Sequence, residues 1–268
     1  MIQPKTLQQR LSLYLILPVA LLLIVMGIAG FIYARNILLS QWREASVLKL
    51  QRATHQVDMR LARVKDWIRI FHQPPTGPDV PTLHVLAIEQ LKREESVDHV
   101  HLSWNSTAGP PAGLSGPKMS HMGPMTAGRP MRMRRFHSGR IREITPPRFD
   151  AASDHETVSL ISELNDESGR LIGRLEVVLD FGMLIKNVRE SGWWQSNKAY
   201  LVDVNGRILT STAHEGSVSL ADSGDSLERE TLAAMKSTGY GTILGEGHPP
   251  KEVSGFYKLQ QAPWSLVM

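Results

Sequence analysis

Between Arg10 and Arg35 the chain runs for 23 residues, Leu11 to Tyr33, without a single charge. At about 1.5 Å per residue a helix of that length crosses a bilayer core of about 30 Å. Fourteen of these residues are Leu, Ile, Val or Phe, worth at most about 4–8 kcal/mol of insertion energy at about 0.3–0.6 kcal/mol each. Pro18 does not reverse that balance. The pattern predicts a transmembrane helix. A cleaved signal peptide has a shorter apolar region, about 7–15 residues, ending at a small-x-small site. This run instead passes through Gly27, Ala29 and Gly30 into Phe31, Ile32 and Tyr33, so an uncleaved anchor is expected.

The pattern then changes period. From Asn36 to Phe71 there is no Gly or Pro, and Leu50, Ala53, Val57, Leu61, Val64, Ile68 and Phe71 are spaced by three and four. That spacing predicts a one-faced amphipathic helix. Its 36 residues make about 54 Å, enough to buttress two stacked modules or to pair with a second copy.

Pro74-Pro75 and Gly77-Pro78 end that helix. Leu83, Leu86, Ala87 and Leu91 predict a second helix over Pro81 to Glu95, and Val97 to Trp104 alternates as a strand with Val100, Leu102 and Trp104 on one face. Gly109 to Arg140 is poor in aliphatic residues and reads as a long loop. Regular patterning resumes at Thr157. Val158 to Leu164 and Leu171 to Leu179 predict a hairpin over a core, and Asp180 is placed to cap a short helix carrying Phe181, Leu184, Ile185 and Val188.

A second unit begins near Ser191. Ala199 to Val204 and Arg207 to Thr212 flank Asn205-Gly206, a hairpin signal because both turn residues tolerate positive φ. Asp225 and Glu228 predict a capping box for a helix over Leu227 to Met235. Three strands follow, Tyr240 to Leu244, Val253 to Leu259 and Trp264 to Met268. The expected class is α+β: a transmembrane helix, a long amphipathic helix, then two antiparallel-sheet modules of PAS type. The expected segments are a cytoplasmic tail over 1–10, the span over 11–33, a stalk helix over 34–72, a membrane-distal module over 73–190 and a membrane-proximal module over 191–268.

Composition narrows the partners. There is no cysteine, which removes disulfides, thiolate metal sites and cysteine nucleophiles. Lys and Arg number 30 against 26 Asp and Glu, a net charge of +4, and they are interspersed, so nucleic acid is not an expected partner. Lys5 and Arg10 on the short N-terminal tail orient it to the cytoplasm. The bulk of the chain then lies outside the membrane, in a bacterium in the periplasm.

In this order the elements resemble the extracytoplasmic double Cache sensor region of bacterial transmembrane receptors. The resemblance rests on Asp166-Glu167-Ser168-Gly169-Arg170-Leu171-Ile172-Gly173, similar to the end of a membrane-distal Cache module. It rests equally on Ala199-Tyr200-Leu201-Val202-Asp203-Val204-Asn205-Gly206-Arg207-Ile208-Leu209, Ser254-Gly255-Phe256-Tyr257-Lys258-Leu259 and Ala262-Pro263-Trp264-Ser265-Leu266-Val267, similar to the proximal one. It implies a ligand-sensing region of a two-component histidine kinase or, in the alternative, of a chemotaxis or cyclic-dinucleotide receptor, working as a homodimer in the inner membrane. It also implies a second transmembrane helix after the last strand, so a chain ending at Met268 is expected to be part of a larger receptor. A membrane-anchored binding protein without an output domain is the other alternative.

No His-Glu-x-x-His, Gly-x-Ser-x-Gly or P-loop pattern is present in the sequence, so kinase activity is expected only from a further C-terminal region. One candidate site is a pocket in the distal module for a small organic anion. Trp104 would supply an aromatic wall, and Arg132, Arg134, Arg135, Arg140 and Arg142 would supply bidentate guanidinium donors. The resemblance adds Phe149 and Asp150, which with Arg134 or Arg135 stand where amino-acid-binding relatives carry ligand contacts; the Trp-Tyr pair of those relatives is absent here. No cofactor is expected. A soft metal such as Cu(I) is the alternative, suggested by His99, His101, Met119, His121, Met122, Met125, Met131, Met133 and His137.

Overall fold

The computed structural model describes residues 7–72, 80–105, 141–166, 168–212, 219–247, 250 and 252–268. The chain divides into two units, residues 1–48 and 49–268. In the first, every described side chain from Tyr14 to Tyr33 is exposed, including Leu15, Leu23, Met26 and Phe31 at 60 % or more. This stretch lies in helix α1 (Leu7–His72), which continues through Pro18 and is long and apolar enough to cross a membrane. An apolar surface on all sides suits lipid and not water.

In the second unit the periodicity of α1 becomes a buried stripe. Leu50, Ala53, Val57, Leu61, Val64, Ile68 and Phe71 are all 5 % exposed or less. They pack against one face of a five-stranded antiparallel sheet of order β1-β5-β4-β2, with β3 also on β4. Its strands are β1 (Val97–Trp104), β2 (Ile141–Ile144), β3 (Arg148–Asp150), β4 (His155–Asn165) and β5 (Leu171–Asp180), and helix α2 (Val80–Arg93) precedes them. Leu160, Leu164, Leu175, Val177 and Leu179 supply the covered face, each worth about 1.5–3 kcal/mol of burial.

The two short strands β2 and β3 were not foreseen. Pro146-Pro147 interrupts them and both are charged, a composition compatible with the sheet edge, where only one side pairs. Asp180 does cap α3 (Phe181–Leu184), its carboxylate accepting the Met183 N–H at 3.0 Å. Two further turns, α4 (Lys186–Arg189) and α5 (Gly192–Ser196), lead to the second sheet.

The second sheet is also antiparallel, of order β7-β6-β10-β9-β8. Its strands are β6 (Tyr200–Asp203), β7 (Ile208–Ser211), β8 (Tyr240–Leu244), β9 (Val253–Lys258) and β10 (Trp264–Val267). Alternation splits their side chains between two cores. Leu201, Trp264 and Leu266 join the cluster that contains the α1 stripe, while Tyr200, Val202, Phe256 and Val267 face Leu232 of α6 (Ser226–Ser237) and Leu220 of a 3₁₀ turn.

The β4–β5 and β6–β7 hairpins turn in the same way. Asp166 Oδ1 accepts the N–H groups of Ser168 and Arg170, each at 2.9 Å, and Gly169 sits at φ +76°. Asp203 Oδ1 accepts those of Asn205 and Arg207 at 2.8 and 2.9 Å, with Gly206 at φ +84°. The shared Asp-x-x-Gly-Arg sequence places a carboxylate under two otherwise unpaired donors and a glycine where the left-handed conformation is needed. Asn205 does not take positive φ, so the turn is not the two-residue type its Asn-Gly pair suggested. The register shift between Leu201 and Val202 accommodates the longer loop.

Candidate functional site

The face of the first sheet turned away from α1 is polar. His99, His101 and Ser103 of β1 stand opposite Val178, Glu176 and Arg174 of β5, which in turn stand opposite Ser159, Ile161 and Glu163 of β4. Residues directly opposed in an antiparallel pair share a face. Glu163 is taken up by Arg142 of β2. Among the described residues Arg174 has no carboxylate within ion-pair distance, and neither does His101; Glu176 likewise has no basic partner. A cation and an anion on adjacent same-face positions, both uncommitted, can bind a small polar molecule.

Among the described residues singled out from the sequence, Trp104 stands apart from Phe149 and Asp150. Trp104 lies on the opposite, core-side face: it pairs with Gly173, and a Cβ there would meet the indole at 2.9 Å. Gly173 is opposite Leu164, whereas Phe149 and Asp150 are opposite Glu156 and His155. Glu156 and Leu164 are eight steps apart along β4, about 26 Å at about 3.3 Å per residue. Phe149 is 66 % exposed. Asp150 closes its own turn, accepting the Ala152 N–H and the Ser153 hydroxyl at 3.0 Å each, bonds that hold its carboxyl below the usual carboxylate range. Arg132, Arg134, Arg135 and Arg140 lie outside the described residues. So do the methionines and histidines from Met119 to His137. Among the described residues no group of three or more His, Asp or Glu is placed to hold a metal.

Two polar clusters were missed. Glu228, the residue expected to close a capping box, is 8 % exposed and turned inward: its carboxylate accepts the Tyr200 hydroxyl at 2.7 Å and the Lys198 ammonium at 2.5 Å. Burial pushes the Glu228 carboxyl up, but the bonds from Lys198, Ser223 and Tyr200 outweigh it and hold it below its ordinary value. Burial and the same carboxylate push the Tyr200 hydroxyl up to about 12. Asp225 alone caps α6, through the Leu227 N–H at 2.9 Å. The second cluster joins α1, α2 and β4: His72 Nε2 lies 2.6 Å from the Ser162 hydroxyl, and the His84 ring packs on Phe71 at 5.0 Å. Burial, reinforced by neighbouring His84, lowers the His72 pKa to about 4. Sequence spacing offers no signal for either cluster, because the hydrogen bonds that close them span 28 and 90 residues.

Helix α1 also holds backbone groups of both sheets' connections. Arg60 donates to the carbonyls of Met183 and Leu184 and to Asn187 Oδ1. Asp58 accepts the N–H groups of Gln260 and Gln261, and Lys65 donates to the Gln261 carbonyl at 2.5 Å. These residues tie α1 to the α3 turn after the first sheet and to the β9–β10 turn of the second.

No protein-family model matches the chain, and no curated protein does. Solved structures do. The periplasmic sensory domain of the Campylobacter jejuni chemoreceptor Tlp1 matches with a TM-score of 0.56 at 10 % identity, over 85 % of this chain and 94 % of that one. The extracellular domain of rpHK1S-Z16, described as a histidine kinase, matches with a TM-score of 0.50 at 11 % identity, over 87 % and 94 %. Against the extracellular domain of mmHK1S-Z2 the TM-score is 0.37 at 16 % identity, and the match spans 47 % of this chain and only about half, 48 %, of that one. A long N-terminal helix followed by two antiparallel sheets with capping helices is thus the fold shared with the Tlp1 and rpHK1S-Z16 domains.

Proposed function

We propose that the chain is the membrane-anchored, extracytoplasmic ligand-sensing region of a signal-transduction receptor, working as a homodimer in the bacterial inner membrane with its bulk in the periplasm. The reading rests above all on the uncommitted Arg174 on the polar face of the first sheet, flanked by Ser103 and the Arg142–Glu163 pair. A guanidinium in that setting binds a carboxylate or phosphate in bidentate fashion, so the ligand class is a small organic anion. The sensor fold supports the same reading, and so does the apolar run of α1. The clasp of Arg60 on the α3 turn that follows β5 gives ligand binding on the first sheet a mechanical route to α1, provided the ligand prefers one of two conformers. Histidine kinase is the proposed output, with a chemotaxis receptor as the second reading, since a sensory domain of each kind shares the fold.

Thermal unfolding of the chain in nanodiscs against a panel of carboxylates and phosphate esters tests the ligand. At least one anion is expected to raise the midpoint, and Arg174→Ala to abolish the rise, with Arg134→Ala, Arg135→Ala and Arg140→Ala tested alongside. A full panel without any shift overturns the reading. The coding sequence beyond Met268 tests the output: an apolar run leading to a kinase or methyl-accepting domain supports a receptor, and a stop codon supports a binding protein.

A further inference from the structure

A second site lies away from that face, within the unit of residues 49–268. A groove of about 380 Å³ opens between α1 and the α4–α5 turns, lined by Lys49, Arg52 and Gln56 on one side and Asn187, Glu190 and Trp193 on the other. Its volume falls within the range of about 300–1,000 Å³ of small-molecule pockets. Lys49, Arg52 and Gln56 fall at i, i+3 and i+7, so they form one stripe of the helix, with buried Ala53 beside them.

The chemistry of the walls is lopsided. Among the described residues neither Lys49 nor Arg52 has a hydrogen-bond or ion-pair partner, although two like charges at this spacing repel. Glu190 lines the same groove yet lies beyond ion-pair distance of both, so the groove keeps the opposite charges apart. Asn187 Oδ1 is occupied by Arg60 at 3.1 Å, which leaves its NH₂ as a donor. Trp193 is half-buried and braced edge-on by buried Trp194 at 5.7 Å. Donors thus outnumber acceptors around a space with one flat apolar wall.

We infer that this groove binds an organic anion whose carboxylate or phosphate sits on Lys49 and Arg52 and whose flat apolar part lies on Trp193. A bound molecule bridges α1 to the α4–α5 connection between the two sheets. The anion comes either from solution or from a lipid headgroup, and the chemistry of the walls serves both.

Calorimetric titration of the full chain in phosphatidylcholine nanodiscs with phenyl phosphate tests this. Saturable binding with Kd below about 1 mM is expected. Lys49→Gln with Arg52→Gln weakens it roughly tenfold to hundredfold, the loss of two charge-assisted bonds. Trp193→Leu weakens phenyl phosphate but leaves inorganic phosphate unchanged. All of these titrations are made on the Arg174→Ala chain, which removes phosphate binding at the site proposed above and so separates the two sites. Phosphatidylglycerol nanodiscs suppress phenyl phosphate binding if a headgroup is the occupant and leave it intact if a soluble anion is. Absence of saturable binding, or full binding by the doubly substituted chain with an unaltered circular dichroism spectrum, overturns the inference. Both substituted side chains are exposed, and the single variants serve as a check on folding.

Discussion

The carboxylate of Asp58 on α1 accepts the backbone N–H of Gln261 at 2.7 Å across 203 residues of sequence, and that of Gln260 at 3.0 Å. A single side chain therefore satisfies two donors of the β9–β10 turn, next to the last strand of the chain. Lys65, about two turns further along the same face of the helix, donates to the Gln261 carbonyl, so the turn is held from both its donor and its acceptor side.

Asp58→Ala is expected to cost about 1–3 kcal/mol by leaving those N–H groups with water alone. Asp58→Asn, which keeps one acceptor oxygen, costs less. Urea unfolding followed by near-ultraviolet circular dichroism measures both, and a change within about 0.5 kcal/mol for the alanine variant shows that the clasp carries no stability.

The buried carboxylate of Glu228 gives a sharper test. Glu228→Ala strands the Tyr200 hydroxyl in the core and frees Lys198, for an expected loss of about 2–3 kcal/mol. Tyr200→Phe removes one donor but leaves the Glu228 carboxylate its bond to Lys198, and costs only about 1 kcal/mol. A double-mutant cycle between Lys198→Met and Glu228→Gln yields a favourable coupling energy; additivity of the two substitutions rules out a functioning ion pair.

Acid acts through His72. Its folded pKa of about 4 lies below the 6.5 of the exposed side chain because burial disfavours the cation. The unfolded chain therefore takes up the proton first, so the stability contribution is complete above about pH 6.5 and is lost as pH falls toward 4. Between pH 7 and pH 5 the loss is about 2 kcal/mol at about 1.4 kcal/mol per pKa unit. Thermal midpoints across that range fall more steeply for the native chain than for His72→Gln. Equal slopes contradict the assignment.

The paired turns predict unequal costs for one substitution. Alanine at Gly169 meets nothing within 4 Å and bears only the left-handed backbone, about 1–2 kcal/mol. Alanine at Gly206 bears the same backbone and also places its Cβ 2.6 Å from Leu232 Cδ1, forcing a core side chain of α6 to move. Gly206→Ala is thus the more damaging of the two, by about 1 kcal/mol or more; a smaller effect than that of Gly169→Ala refutes the packing argument.

Much of this molecule is legible in local pattern. The uncharged run from Leu11 to Tyr33 and the three-and-four spacing from Leu50 to Phe71 each repeat one physical rule over several turns, and the same seven residues line the buried stripe. The strand Val97–Trp104, the β4–β5 hairpin and the Asp180 and Asp225 caps follow from alternation and from side chains that bond to backbone two or three residues away. Edge strands such as Ile141–Ile144 and Arg148–Asp150 were invisible because they are held by one neighbour and carry no alternation long enough to read.

What tertiary structure alone decided is which distant residues share a place. Sequence offered Trp104 as an aromatic wall and, by resemblance alone, Phe149 and Asp150 as ligand contacts, but sheet register sets Trp104 on the core side and about 26 Å of strand between it and the other two. It likewise turned Glu228 from a local cap into a buried partner of Lys198 and Tyr200, and brought Asp58 to a turn at the far end of the chain. Helical and strand periods are properties of a few consecutive residues and can be read one segment at a time. Register, face and long-range hydrogen bonds depend on how segments pair, which no single segment encodes.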